Sequence, residues 1–540
     1  MRVAIAQINS TLGDFSSNSK LISKYINKAA ERSVRLLVFP EGSLFGYYPA
    51  DLLERRELVL EQMRELVRIQ RQMPEGIYAL VGCYTLNRNK KGRPYYNSAA
   101  LLCRGKKPFF FNKELLPTGD VFDEGRFVES GNMAHNRFKV GSWGIQVTIC
   151  EDIWAWPDKG GYSPYKNNPL LDVPTKGIDL VINMSASPWH RKKLEDRKKM
   201  VKATAVHFGA PVVYVNLVGG QDELVFDGQS FLTDMKGRTV LQCGAFIEDF
   251  SVFDLDDLPS KLHQVEISRV EELRRAIVLG IRDFCKKTGL EKVHLGLSGG
   301  IDSAVVAALA ADAVGPGRVT GVILPGPFSS PKSEKLAEEL GKRLGIRVLK
   351  MPIQGIYDQI RATVDMPLGL KNFSVVHENI QARIRGLLLM ACANAENSLL
   401  LATSNKSEYA TGYSTLYGDM CGGLAPIGDL IKQEVYELAQ HYNLERELIP
   451  REIIERPPTA ELRPNQKDQD FLPPYELLDA SVRRLVQNGR QPKDKTDRWL
   501  LPILMRTEFK RWQAPPIIKI SSHAFGRGRR FPIAYRPKVR

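Results

Sequence analysis

The chain has 540 residues, too many for one ordinary hydrophobic core, so two or more domains are expected. Apolar residues make up 43% and charged residues 25%, which excludes wholesale disorder. Its 76 Lys and Arg exceed its 61 Asp and Glu to leave +15, a balance that suits nucleic acid, a membrane surface or a phosphorylated small molecule.

The excess is local. Residues 504–540 hold 10 basic residues and 1 acidic, so this tail carries +9 and the other 503 residues only +6. Met1–Ile8 alternates like a strand and lacks the apolar stretch of a signal peptide, and no apolar run reaches the ~18–20 residues that span a bilayer. The seven cysteines are odd in number, scattered, and form no C-x-x-C pair, so a soluble protein of a reducing compartment is expected, in the cytoplasm.

In chain order, Asn18–Ser33 and Leu194–Phe208 read as helices. Val34–Phe39, Tyr78–Tyr84, Ser98–Cys103, Gly144–Cys150, Asp179–Asn183 and Pro211–Leu217 read as buried strands. The mixture predicts one layered α/β domain over residues 1–255. Around Val252–Ser268 the text turns to Asp, Leu and Pro, giving a linker at 256–268 with the boundary near residue 260. The second domain, 269–540, restarts with a helix at Val270–Thr288, a strand at Lys292–Leu297, a helix at Ser303–Val314 and a strand at Val319–Leu324. That order predicts a doubly wound parallel sheet. Beyond Pro457 the Pro-, Arg- and Lys-rich text predicts a partly irregular segment.

His294-Leu-Gly-Leu-Ser-Gly-Gly-Ile-Asp-Ser303 joins strand to helix. Its backbone N–H groups, with the Ser298 and Ser303 hydroxyls, would cradle phosphate, and Asp302 would repel phosphate unless a cation lay between. The loop resembles that of the N-type ATP pyrophosphatases, which adenylate a substrate and release pyrophosphate; the Walker lysine is absent. His377–Arg385, Leu401–Glu408, Gly412–Asp419 and Pro426–Lys432 are similar to the NAD synthetases, in the same order. The resemblance implies a Rossmann-like domain that binds ATP through Gly296, Leu297, Ser298, Gly299, Gly300, Ile301, Asp302, Ser303, Thr403, Lys432 and Thr459. It implies a deamido-NAD site at Asn379, Arg383, Glu408, Tyr413, Ser414, Thr415, Leu416 and His523, and magnesium on Asp302 and Glu408. His523 stands where these proteins often carry lysine. No tightly bound organic cofactor is expected.

In the first half, Glu41 follows a buried strand, Lys113 lies in Asn112–Pro117, and Cys150 ends a strand in Val147–Asp152. A thiol becomes a nucleophile as thiolate; a nearby lysine lowers its pKa and a carboxylate takes its proton. The trio resembles the Glu-Lys-Cys triad of the nitrilase (carbon–nitrogen hydrolase) superfamily, whose domains are α-β-β-α layers. Phe122–Phe127 and Asn183–Pro188 support it. The resemblance makes Glu124 the auxiliary carboxylate and places Ser187 and Lys193 at the amino-acid end of glutamine. After Leu-Pro the glutaminase members commonly carry Asn-Tyr; Thr118-Gly119 stands here, leaving Tyr47 or Tyr48 to supply an aromatic wall.

A nitrilase-like domain before an NAD synthetase-like domain is the arrangement of the glutamine-dependent NAD synthetases. That resemblance implies glutamine, ATP and deamido-NAD as partners, a homo-oligomer, and neither nucleic acid nor membrane. The competing readings are another glutamine-dependent adenylating amidotransferase, which would not need the Asn379–Arg383 or Tyr413–Leu416 text, and an RNA-binding or tRNA-modifying protein using the basic tail. Against the latter, no cluster of aromatics interleaves with the arginines, and no cysteine pair offers a sulfur relay.

Overall fold

The structure, a computed structural model, describes residues 1–89, 91–158, 160–259 and 267–534. The chain divides into two units, Met1–Gln221 with Val225–Glu266, and Asp222–Leu224 with Ile267–Arg540. The boundary expected near residue 260, most of the 256–268 linker, and Arg536, Lys538 and Arg540 of the basic tail lie outside the described residues.

The first unit opens with β1 (Arg2–Gln7), β2 (Leu36–Val38), β3 (Tyr78–Leu86), β4 (Tyr95–Leu102) and β5 (Phe109–Asn112). It continues through β6 (Arg137–Val140), β7 (Trp143–Ile149), β8 (Leu180–Ser185), β9 (Val212–Asn216) and the paired β10 (Val218–Gln221) and β11 (Leu224–Asp227). Then come β12 (Phe231–Thr233), β13 (Thr239–Gln242) and β14 (Asp249–Asp254). Two six-stranded sheets result, ordered β14-β1-β2-β3-β4-β5 and β13-β12-β9-β8-β7-β6. Val252–Asp254, which the composition assigned to the linker region, completes β14 against β1.

The sheets face each other across one apolar layer, in which Val3, Ile5, Val38 and Leu80 of one meet Val147, Ile149, Ile182 and Val213 of the other. Each such fully buried aliphatic side chain contributes about 1.5–3 kcal/mol. Helices α1 (Phe15–Glu31) and α2 (Arg56–Gln72) cover the first sheet through Ile22, Ile26, Leu66 and Ile69. Helix α3 (Lys193–Phe208) covers the second through Val201, Ala205 and Phe208. The unit is the expected α-β-β-α sandwich. Covered on both faces, β1 is buried at five of its six positions although its sequence alternates.

The second unit runs α4 (Arg269–Thr288), β15 (Lys292–Gly296), α5 (Ile301–Val314), β16 (Val319–Ile323), α6 (Pro331–Leu344) and β17 (Arg347–Lys350). It continues with α7 (Gln354–Val364), α8 (Val375–Glu396), β18 (Ser398–Leu400), α9 (Lys406–Thr411) and α10 (Lys432–Tyr442). The four strands are parallel in the order β17-β16-β15-β18. The chain therefore steps outward from β15 to β17 and returns to the other side of β15. That reversal opens a crevice past the strand ends where ligands of doubly wound sheets bind. Helix α5, an Ala- and Val-rich run, is buried almost all round, which its uniformly apolar text requires. The segment past Pro457 is more regular than its composition suggested: Tyr475–Val482, Lys495–Arg506 and Glu508–Arg511 are helical, because Tyr475, Leu478, Leu500 and Leu504 have a core to join. No helix among the described residues is long and apolar enough to cross a membrane.

Candidate functional sites

In the first unit the ends of β2, β5, β7 and β8 deliver four segments to one place. Glu41 follows β2 and is 1% exposed; Lys113 follows β5 and is fully buried. Lys113 Nζ lies 2.8 Å from Glu41 Oε1 and 2.8 Å from Glu124 Oε2. Asn97 Nδ2 also donates to Glu41 Oε1 at 2.8 Å, and the Ala186 N–H, just beyond β8, donates to Glu41 Oε2 at 2.8 Å. Tyr47 Oη donates to Glu124 Oε1 at 2.7 Å. One ammonium between two carboxylates, all out of water, is a fixed and polarised arrangement.

Cys150 begins the short 3₁₀ turn Cys150–Ile153 after β7, and its φ of +45° is a left-handed conformation a non-glycine residue adopts only under constraint. The constraint is visible next door. Asp152 accepts from the N–H groups of Glu114 and Leu115 through Oδ1 and from Ile149 N–H through Oδ2, at 3.0, 2.9 and 2.8 Å, pinning the Lys113 segment to the Cys150 turn. Burial pushes the Cys150 thiol pKa well up and Glu41 adds to that, while Lys113 lowers it, as its sequence motif suggests, without prevailing. Cys150 is thus a resting thiol whose proton needs a base. Burial works against the charge on Lys113, but Glu124 and Glu41 prevail and hold its pKa well above the usual value. Burial raises the Glu124 carboxyl against the pull of Lys113.

Ser187 is buried, and its Oγ accepts from Arg197 Nε at 3.2 Å. Lys193 opens α3 with its Nζ 3.9 Å from the centre of the Trp154 ring. Its pKa is lowered by burial and by Arg197. Tyr48 and Phe122 meet edge to face at 5.7 Å, with Tyr47 against both.

In the second unit, the loops past β15 and β18 line a cavity of about 290 Å³. Gly296, Leu297, Ser298, Gly300, Ile301, Asp302, Ser303, Thr403, Lys432 and Thr459 all line it, as do Glu408 and Tyr413. Gly299 does not; it holds φ +76° and a Cβ there would come within 2.4 Å of the Ser333 carbonyl oxygen, so glycine is required. The loop is tied by hydroxyls: Ser303 Oγ donates to Gly300 O at 3.0 Å and lies 3.1 Å from Ser298 Oγ. Asp302 Oδ1 accepts from Asn405 Nδ2 at 2.9 Å, while Oδ2 pairs with Lys432 Nζ at 2.5 Å. Glu408 Oε1 is 3.9 Å from the same ammonium. Burial and then Asp302 push the Glu408 carboxyl well up, with Lys432 opposing. Lys432, expected on ATP, here balances two carboxylates. Thr459 Oγ1 donates to Gln466 O at 2.6 Å.

Of the residues assigned to deamido-NAD, Asn379, Arg383, Thr415 and Leu416 are tied together beside that cavity. Asn379 Oδ1 accepts from Thr415 Oγ1 at 2.7 Å, and Arg383 Nε donates to Leu416 O at 3.2 Å. Lys510 Nζ donates to Ser414 O at 2.6 Å. His523 does not join them: its carbonyl accepts from Lys406 Nζ and its ring lies 3.2 Å from Ser522 Oγ. In the basic tail Arg529 is paired with Glu508, and Arg527 lies 3.7 Å from Asp222.

Several contributors were given no role by the sequence. Asn97, Asp152, Arg197 and Asp468 matter through partners remote in sequence. Arg385, one turn before Leu389 on α8, lines the cavity, donates to Leu324 O at 3.0 Å, and has its pKa lowered to about 10 by burial. Its arginine pair with Arg383 was the available signal.

Known proteins match both units. The carbon-nitrogen hydrolase family model matches residues 2–260 and the NAD synthase model residues 273–513. The glutamine-dependent NAD(+) synthetase of Synechocystis sp. is 41% identical, covering 98% of each chain, and that of Thermotoga maritima is 37% identical, covering 100% of this chain and 99% of its own. The solved glutamine-dependent NAD+ synthetase of Acinetobacter baumannii, a complex with adenosine diphosphate, superposes with a TM-score of 0.77 at 32% identity over 98% of each chain. That of Cytophaga hutchinsonii, at 21% identity, shares the fold with a TM-score of 0.81 over 99% of this chain and 97% of its own. With a hydrolase unit, a synthase unit and relatives that match it end to end, the chain belongs to the glutamine-dependent NAD(+) synthetase family.

Proposed function

We propose that the chain converts deamido-NAD to NAD, cleaving ATP to AMP and pyrophosphate and taking ammonia from glutamine. The observation that carries this reading is the pairing in one chain of a sealed Glu41–Lys113–Cys150 cluster with a phosphate loop whose Asp302 meets Lys432.

In the first unit Glu41 takes the Cys150 proton as Sγ attacks the side-chain amide carbon of glutamine. Because burial disfavours a free thiolate, deprotonation accompanies attack. The Lys113 ammonium donates to the oxyanion, and Glu124 with Glu41 keeps that ammonium charged. The C–N bond breaks, the proton held by Glu41 leaves with ammonia, and a thioester remains. Glu41 then deprotonates water, which releases glutamate and restores the thiol. Ser187 and Lys193 hold the amino-acid end, with Tyr47, Tyr48 and Phe122 as the aromatic wall.

In the second unit ATP lies on residues 296–303, with Thr403, Lys432 and Thr459 at its oxygens. The nicotinate carboxylate of deamido-NAD, bound by Asn379, Arg383 and residues 413–416, attacks the α-phosphorus and pyrophosphate leaves. Ammonia then attacks the acyl carbon and AMP leaves. The donor set suits magnesium: among the described residues no three His, Cys, Asp or Glu form a complete site, and two carboxylates completed by substrate phosphates are what this ion takes. Asp302 and Glu408 would hold it, and bound there it would neutralise charge on the α- and β-phosphates. Lys432 would then exchange Asp302 for a phosphate oxygen.

Domain limits at 1–255 and 269–540, a cytoplasmic location and a homo-oligomer belong to the same proposal. Exposed Leu387 and Met390 on α8, with exposed Met366 and Leu368 before it, favour self-association, which sedimentation would measure. The activity is tested by supplying deamido-NAD, ATP, magnesium and glutamine to the purified chain. NAD, AMP and glutamate are expected in equal amounts. ADP instead of AMP, or an Asp302→Ala protein with full ATP turnover, contradicts the reading.

A further inference from the structure

Arg197 is fully buried on α3, four residues beyond Lys193, and every nitrogen of its guanidinium is engaged. Nη1 donates to Asp227 Oδ1 and Oδ2 at 2.7 and 2.9 Å. Nη2 donates to the carbonyls of Ser187 and Pro188 at 2.7 and 3.2 Å, and Nε to Ser187 Oγ at 3.2 Å. Asp227, also fully buried, is held by Asn216 Nδ2 and Gln229 Nε2 at 3.2 and 2.8 Å. Asn216 Oδ1 in turn accepts from Ser187 N–H at 2.9 Å. The donor fork is thus clamped at one end by Asp227 and spends its other end on residues 187 and 188.

We infer that Arg197, clamped by Asp227, is a positioning residue that sets the preference of this site for glutamine by fixing the place and polarity of Ser187. The inference rests on the reading of Ser187 and Lys193 as the holders of the amino-acid end. A hydroxyl has one proton to give and two lone pairs. With Arg197 Nε–H on a lone pair, Ser187 keeps its proton for an acceptor. Tyr214 Oη, buried beside it, is a neutral acceptor for the Ser185 and Ser187 hydroxyls, and a carboxylate is the stronger acceptor for that proton. A carboxylate meeting Ser187 O–H and Lys193 N–H finds two donors and no competing anion. Arg197 also stays out of the reacting cluster: the Ala186 N–H is held by Glu41 itself, not by the fork. Its loss should therefore weaken recognition of the amino-acid end and spare the thiol.

Two features separate this role from general support. Lysine at 197 would keep a charge for Asp227 but lose the planar fork. Iodoacetamide, a small amide reagent with no amino-acid end, reports the Cys150 environment independently of Ser187. The test uses the full chain as wild type, Arg197→Lys, Asp227→Asn and Ser187→Ala, following alkylation of Cys150 by peptide mass and its protection by glutamine. Ammonium-dependent NAD synthesis is measured alongside. The expected result is an alkylation rate close to wild type in Arg197→Lys and Asp227→Asn. The glutamine concentration for half-protection should rise about 10- to 100-fold, the scale reached when a group orienting a ligand-holding residue is lost. Unchanged protection in Arg197→Lys and Asp227→Asn, with weakened protection in Ser187→Ala, overturns the inference and leaves the Ser187 reading standing. Unchanged protection in Ser187→Ala overturns that reading and the inference with it. Alkylation that slows in step with lost protection overturns it too, since the whole site has then loosened.

Discussion

The two sites handle charge in opposite ways. Around Glu41, Lys113 and Glu124 the charges are sealed from water and balanced by one another, with N–H donors from Asn97 and Ala186 completing the set. At residues 296–303 the charges face a cavity, and Lys432 stands against Asp302 and Glu408 where polyanionic substrates would enter. The difference follows from the substrates proposed. Glutamine's side chain brings no charge, so its site carries its own complete electrostatics. ATP and deamido-NAD bring several negative charges, so their site holds a cation that can be re-partnered.

The comparison breaks if changes inside the sealed cluster reach the synthase reaction. Glu41→Gln and Lys113→Met should each lower glutamine-dependent NAD formation by about 10²–10⁴-fold, the range of a lost proton-transfer group, and leave ammonium-dependent formation near wild type. Rates with both nitrogen donors check this. Lys432→Met should instead lower both rates by about 10²–10³-fold, as expected for a lost electrostatic stabiliser. A deficit confined to glutamine would place Lys432 outside the ATP site.

Acidity sharpens the contrast at smaller scale. Glu408 is pushed well up by burial and Asp302, so some of it is protonated where an ordinary carboxyl is not, and a cation must displace that proton. Magnesium affinity measured with an ATP analogue should rise with pH, and Glu408→Gln should flatten the rise. Asp152 gives the smallest effect. Burial raises its carboxyl to about 7, against N–H donors from Leu115, Ile149 and Glu114. A carboxyl raised above its unfolded value, about 3.9, holds its proton more tightly when folded. Its stabilising contribution is complete below that value and is lost as pH rises through about 7. Urea midpoints of the first unit between pH 4 and 8 should therefore fall less in Asp152→Asn than in wild type.

Much of this was legible from local text. The Gly144–Cys150 run became β7, and Ser-Gly-Gly-x-Asp-Ser after a strand became the loop at the sheet's reversal point. A layered α/β structure for each unit followed from the mixture of strands and helices, and the α-β-β-α order of the first from its resemblance to the nitrilase superfamily. Other features were hidden for physical reasons. The three-residue edge strand β18 gains its stability from pairing with β15 and leaves little periodicity. Asp227 and Arg197 are 30 residues apart and meet only in three dimensions. The net direction of the Cys150 shift was hidden, because the lowering by a nearby lysine is readable in a motif while desolvation is not. Glu508, the single acid of the basic tail, gives no sign in sequence that it pairs with Arg511 and Arg529.

The separation of a nitrogen-releasing site from an adenylating site is tested most directly by giving Cys150→Ala protein deamido-NAD, ATP and magnesium with either glutamine or ammonium. NAD and AMP formed at nearly the wild-type rate from ammonium, and not at all from glutamine, is the predicted result. Glutamine-supported NAD formation without the thiol, or loss of activity with both donors in a folded protein, would contradict it.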